Sequence, residues 1–206
     1  MSEKEIRAFT FEMRAAEDEE HGHILIGRPI VFNSRTNLGW YDETIADGAL
    51  DDTDLKDVRF LVNHNTDMIP LARSRNNNEN STMQLKVVSG EGLDIRVDLD
   101  IENNVEAKSL YSAVERGDVS SMSFMFTVDA DSWDELESEH PARTIEKIGK
   151  VFEVSAVTFP AYEATSLQAR GLSDALDSAK ASLESVKNER ALIERKKQKI
   201  RILSEV

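Results

Sequence analysis

Between Met83 and Ile101 the chain alternates apolar and polar residues on both sides of one tight turn. Met83, Leu85 and Val87 take every second position, Ser89-Gly90-Glu91-Gly92 interrupts, and Leu93, Ile95, Val97, Leu99 and Ile101 resume the period. Successive side chains of a strand point to opposite faces, so a two-residue repeat buries one face and wets the other. A helix has no use for that repeat, whereas two strands joined by a glycine-bearing turn do. The spacing predicts a β-hairpin, and with it a sheet protein.

Strand-like blocks recur at residues 23–27, 28–32, 121–128 and 150–159, with Pro160 closing the last. One helix is expected between them. Asn103 or Asn104 can cap it, Ala107, Leu110, Tyr111 and Val114 form its stripe, and Gly117 suits a left-handed exit. The acidic segment 129–139 and the Asn-rich segment 73–81 read as exposed loops. Many strands with few helices predict an α+β fold, a β-barrel or sandwich with peripheral helices.

The pattern changes near Arg170-Gly171. Leu172, Leu176, Ala179, Leu183, Val186, Ile193 and Ile200 follow steps of three, four or seven, a heptad seam interrupted by Arg190 and Lys197. Neither proline nor glycine follows Gly171, so one long helix is expected, either a coiled-coil strand or a lone solvated helix. Charge divides at the same place. The net −14 splits into −16 over residues 1–170, a domain of its own, and +2 over residues 171–206, a helical tail.

An acidic body repels phosphate, which argues against nucleic acid or an anionic membrane as partner. Without cysteine there is no disulfide, no thiolate metal site and no thiol nucleophile. No apolar run reaches membrane-span length and the polar start MSEKEIRAFTFE predicts no signal peptide, so a soluble intracellular protein is expected. Neither His-Glu-x-x-His nor a phosphate-binding Gly-x-x-x-x-Gly-Lys occurs, and no metal or cofactor is expected.

Three residues carry candidate chemistry. His64 ends the run Val58-Arg-Phe-Leu-Val-Asn-His on the parity of Phe60 and Val62; His21, His23 and His140 read as solvated turn residues. Ser123 shares a strand face with Ser121, Met125 and Thr127, a small hydroxyl with open space beside it. Glu153 shares a face with Val151, Ser155, Val157 and Phe159, apolar company in which a carboxylate needs a partner. Each has a plainer reading: a hydrogen-bonded core histidine, ordinary polar-out alternation, an edge-strand glutamate. Together they supply a nucleophile, a general base and an orienting group. Ser121-Met-Ser-Phe-Met lacks the glycines of a nucleophile elbow, which excludes the α/β-hydrolase route.

The order of motifs resembles the prohead proteases of tailed bacteriophages. Asp47-Gly-Ala-Leu, Val58-Arg-Phe-Leu-Val-Asn-His-Asn and Pro70-Leu-Ala-Arg are similar to that family's histidine block. Glu91-Gly-Leu and Glu115-Arg-Gly-Asp-Val-Ser-Ser-Met-Ser-Phe-Met-Phe resemble its serine block, and Glu153-Val-Ser-Ala-Val-Thr-Phe-Pro-Ala its closing block. The likeness runs from about Phe9 to Arg170, departing at Met125 and Ala72, where relatives often carry glycine.

The resemblance implies a serine endopeptidase that acts inside the procapsid in the host cytoplasm, cutting the scaffolding portion of the major capsid protein and itself. It implies a closed, mostly antiparallel β-barrel ringed by helices, like the herpesvirus assemblin. Ser123 matches the nucleophile, His64 the base and Glu153 the acidic third position, where herpesvirus relatives use a second histidine. The portal and self-association are further candidate partners. Two other classes compete: a non-catalytic assembly or scaffolding protein, and an unrelated β-barrel binding domain in which His64 and Ser123 are structural.

Overall fold

The long antiparallel ladder of β10 (Ser121–Asp134) and β11 (Ala142–Val157) organises the molecule. The computed structural model describes residues 4–9, 13–18, 22–159 and 169–204. Strand β1 (Lys4–Phe9) lies antiparallel along the outer edge of β10. On the far side of β11, β5 (Asp42–Ile45) runs parallel to its first part and β6 (Asp57–Val62) parallel to its last. Short β4 (Thr36–Asn37) then pairs with β5, and β7 (Ala72–Arg75) with β6, completing a seven-stranded sheet.

A second, four-stranded sheet runs in the order β2 (Arg14–Asp18), β3 (Gly22–Val31), β9 (Gly92–Asp98), β8 (Met83–Val88). The expected hairpin is β8–β9, in register from Met83 opposite Val97 to Val88 opposite Gly92. Gly92 has φ +148°, and a Cβ there would meet the Ile30 carbonyl oxygen at 1.9 Å, so only glycine lets β3 approach. Both sheets contribute to one core. Met122, Phe124, Phe126, Val154, Val58 and Phe60 meet Leu25, Ile30, Leu93, Ile95 and Val97 there.

Helix α1 (Val105–Glu115) starts and stops where its sequence signals lie. The Asn104 side chain accepts from the Glu106 and Ala107 amides, and Gly117 takes φ +78°. Its buried stripe is Ala107, Leu110, Tyr111 and Val114, as the spacing predicts.

The α+β class holds, with two sheets and two helices among the described residues. The strand ladders do not show the expected closed barrel. Among the described residues the pairings leave both sheets open: β1 and β4 end the main path of one, β2 and β8 the other. Bulges between Met125 and Asp131 and between Gly27 and Ile30 interrupt register without joining the sheets into a ring. The acidic segment is no loop at its start, because β10 continues to Asp134 and buries Trp133. Residues 73–75 belong to β7, and the two blocks at 23–32 lie mainly in the single strand β3. Pro160 and His21 lie outside the described residues.

Helix α2 (Ala169–Ser204) docks on the body through its first half. Ala179 and Leu183 are buried against Tyr41, Trp133 and Leu136, with Val186 packed alongside. Trp133 Nε1 donates to Ser182 Oγ at 3.0 Å, and Ser182 donates to Asp131 at 2.9 Å. Beyond the body the same seam is exposed at Ile193 and Ile200, with Leu192 also exposed nearby. Neither a lone solvated helix nor a full coiled coil describes it; the apolar stripe is used at one end and open at the other.

Under this helix lies a buried ion network. Arg7 bonds both Glu43 and Glu5, and Arg143 contacts Glu5 at 2.9 Å and Glu43 at 3.1 Å, all four side chains about 2% exposed. Ser178 of α2 reaches Glu5 at 3.4 Å. Burial alone would raise the Glu5 carboxyl, but Arg7 and Arg143 outweigh it and hold it below its ordinary value. Burial likewise opposes charge on Arg7, which Glu43 and Glu5 overcome.

Candidate active site

Ser123 and Glu153 come from neighbouring strands of one sheet, His64 from the turn that follows a third, and the three meet in one hydrogen-bonded line. The register puts Ser123 opposite Ser155 and Met125 opposite Glu153, with Arg59 and Leu61 of β6 next to Glu153 and Ser155. These residues share the sheet face opposite Phe124 and Phe60. Ser123 Oγ lies 2.6 Å from His64 Nε2, and His64 Nδ1 lies 2.6 Å from Glu153 Oε1.

His64 arrives there by a route that strand parity does not give. Alternation would place it with Phe60, which points into the core on the other side of the sheet. Strand β6 instead stops at Val62, and Asn63 and His64 both take left-handed conformations, φ 51° and 55°. Two such residues in succession reverse the chain, and non-glycine residues occupy that region only when their surroundings hold them. Here the Asn63 amide donates to the Ala156 carbonyl at 2.9 Å, and Asn63 Oδ1 accepts from Thr158 N at 3.0 Å and Thr158 Oγ1 at 3.2 Å. The His64 amide donates to Ser155 Oγ at 3.1 Å.

Glu153 is not an edge-strand glutamate. Its strand is flanked on both sides, and its side chain is 3% exposed. A register shift between Met125 and Phe126 leaves Phe152 unpaired, so Val151 falls on the core side with Phe126 rather than beside Glu153 as simple alternation predicts. Both carboxylate oxygens have donors: Oε1 faces His64 Nδ1, and Oε2 accepts from Ser155 Oγ at 2.5 Å. A buried charge with both oxygens satisfied is tolerable where an unpaired one is not.

Chemically, the line can move one proton. With Nδ1 donating to the carboxylate, Nε2 keeps its lone pair and can accept from the serine hydroxyl. That hydroxyl has a second acceptor, the Arg7 carbonyl oxygen at 2.7 Å, and can serve only one at a time. Ser123 is fully buried in this arrangement.

Comparisons with known proteins place the chain in a family. The family model of the caudovirus prohead serine proteases matches residues 9–178. The chain belongs to that family. It is therefore a serine protease of phage capsid assembly. No curated protein matches. Among solved structures, the bacteriophage T4 capsid assembly protease gp21 aligns at 10% identity and TM-score 0.41, covering 75% of this chain and 98% of that one.

The two other described histidines of the prohead protease, His140 and His23, make contacts elsewhere. His140 is not a free turn residue; it binds Asp42 at 2.7 Å and Asn37 at 3.0 Å. Its bond to Asp42, with help from Arg35, holds that carboxyl below its usual range. His23 stacks edge-on against Tyr111 at 4.8 Å. Sequence reasoning did not single out Asn63, Ser155 or the Arg7 carbonyl. Ser155 was within reach, two positions from Glu153 on the same strand face; a backbone carbonyl carries no residue signature at all.

Proposed function

We propose that this prohead protease matures the capsid by cutting the scaffolding segment of the major capsid protein, and itself, through acyl transfer at Ser123. The single observation behind this reading is the unbroken Ser123–His64–Glu153 line, with both links at 2.6 Å. His64 takes the Ser123 proton as Oγ attacks the scissile carbonyl, and Glu153 stabilises the imidazolium that forms. The imidazolium then returns the proton to the leaving amine. Water, deprotonated by the same imidazole, hydrolyses the acyl-enzyme. The reaction takes place inside the procapsid, and residues 171–206 act as a tail that engages assembly partners, with the portal and a second copy among them.

The test is co-expression of the wild type or Ser123→Ala with the major capsid protein of the same phage, read by intact mass. Wild type alone should shorten the capsid protein and shift its own mass. Intact products from both, with both proteins folded, would return the molecule to a non-catalytic assembly role.

A further inference from the structure

We infer that Ser155 is a positioning residue of the active site, tying the general base and its carboxylate into one rigid unit. The inference rests on the Ser123–His64–Glu153 reading and extends it to a fourth side chain. Ser155 is fully buried, and its hydroxyl both donates and accepts. The Oγ–H donates to Glu153 Oε2 at 2.5 Å, and Oγ accepts the His64 backbone amide at 3.1 Å.

The second bond is what distinguishes Ser155 from a simple carboxylate partner. His64 sits at φ 55°, a conformation that costs a non-glycine residue energy and must be held from outside. Its amide is at the end of β6, where no ladder partner remains, and Ser155 Oγ takes that place. One hydroxyl thus fixes both the backbone that carries the imidazole and the carboxylate that orients it. The two contacts are opposite in sense, donor to the glutamate and acceptor from the amide, so only a hydroxyl of this size on this strand satisfies both.

The side-chain hydrogen bonds of Ser155 go to His64 and Glu153, so its effect is exerted through the base. A residue that merely supports the fold changes stability. One that aligns the base changes the rate at which Ser123 becomes a nucleophile.

That rate can be read without a known substrate. A fluorophosphonate phosphonylates an activated serine: the Oγ–P bond forms, the P–F bond breaks, and the serine proton leaves through the imidazole. The full chain is labelled as wild type, Ser123→Ala, Ser155→Ala and Ser155→Thr, each with its thermal melt recorded. Wild type should label and Ser123→Ala should not. Ser155→Ala should lower the maximal labelling rate about 10–100-fold, the loss typical when a group orienting a site residue is removed, with the half-saturating probe concentration unchanged. Ser155→Thr, which keeps the hydroxyl, should recover to within about threefold of wild type.

Equal labelling of wild type and Ser155→Ala overturns the inference while leaving the Ser123 reading intact. So does a loss confined to probe affinity, or equal slowing by alanine and threonine. Absence of labelling in folded wild type overturns the Ser123 reading and this inference with it. Should Ser155→Ala fail to fold, Ser155→Cys takes its place, since the thiol fills similar space but donates weakly; it should label more slowly than Ser155→Thr.

Discussion

The hydroxyl of Ser123 lies 2.7 Å from the carbonyl oxygen of Arg7, a residue whose guanidinium sits in the buried ion network on the other face of the sheet. Strand β1 therefore touches the site and the tail's docking surface at once. Its backbone meets the nucleophile, and its Glu5 side chain meets Ser178 of helix α2. Attack on a peptide carbonyl requires the hydroxyl proton to be on the Nε2 side rather than shared with Arg7. It also requires the fully buried oxygen to become accessible.

Substitutions in the proton line should be graded by role. Ser123→Ala and His64→Ala should each lower cleavage of the capsid protein about 10⁶-fold, and Glu153→Gln about 10⁴-fold, because the glutamine keeps the size but loses the charge and one of the two acceptor oxygens. Initial rates measured side by side check the order.

Asn63 should be sensitive to side-chain loss for two separable reasons. Asn63→Ala removes both bonds to Thr158 and places alanine at φ 51°, and should cost about 2 kcal/mol in chemical denaturation. Asn63→Gly loses the same bonds but suits the conformation, so it should recover about 0.5–1 kcal/mol of that loss.

These two left-handed residues also mark where the sequence stopped being legible. Period-two alternation reports faces of a continuous strand, and it located the β8–β9 hairpin and the face of Ser123, while three-to-four spacing located the helix α1 stripe. It misplaced His64 because the strand ends two residues before it, at Val62. It misplaced Val151 because a bulge at Phe152 shifts parity by one. The ion network escaped notice because Glu5, Arg7, Glu43 and Arg143 look like surface charges until β1, β10, β11 and β5 line up in one sheet. Motif order, rather than periodicity, brought His64, Ser123 and Glu153 together.

The network should be costly to break from one side. Glu43→Ala leaves two buried guanidiniums short of a partner, and should destabilise the protein by about 3–5 kcal/mol, a fall in Tm of roughly 10 °C or more. Thermal melts of the wild type and variant give the comparison. Surface pairs such as Arg116 with Asp118 should move Tm by little.

Acid should weaken the same region. Glu5 is held below its ordinary value of 4.5 in the folded chain, so the unfolded chain binds the proton more readily. Its contribution is complete above pH 4.5 and is lost as pH falls through the lowered folded value. Stability from denaturant titrations should be level above about pH 5 with respect to this group and decline below pH 4.5. The decline should be shallower in Glu5→Gln, measured against its own neutral-pH stability.

The central claim is that Ser123 is the nucleophile activated by His64, and peptide mapping after fluorophosphonate treatment tests it most directly. A single adduct on the tryptic peptide containing Ser123, absent in Ser123→Ala and strongly reduced in His64→Ala, is the expected result. An adduct on a different serine, or folded wild type with no adduct, would contradict it.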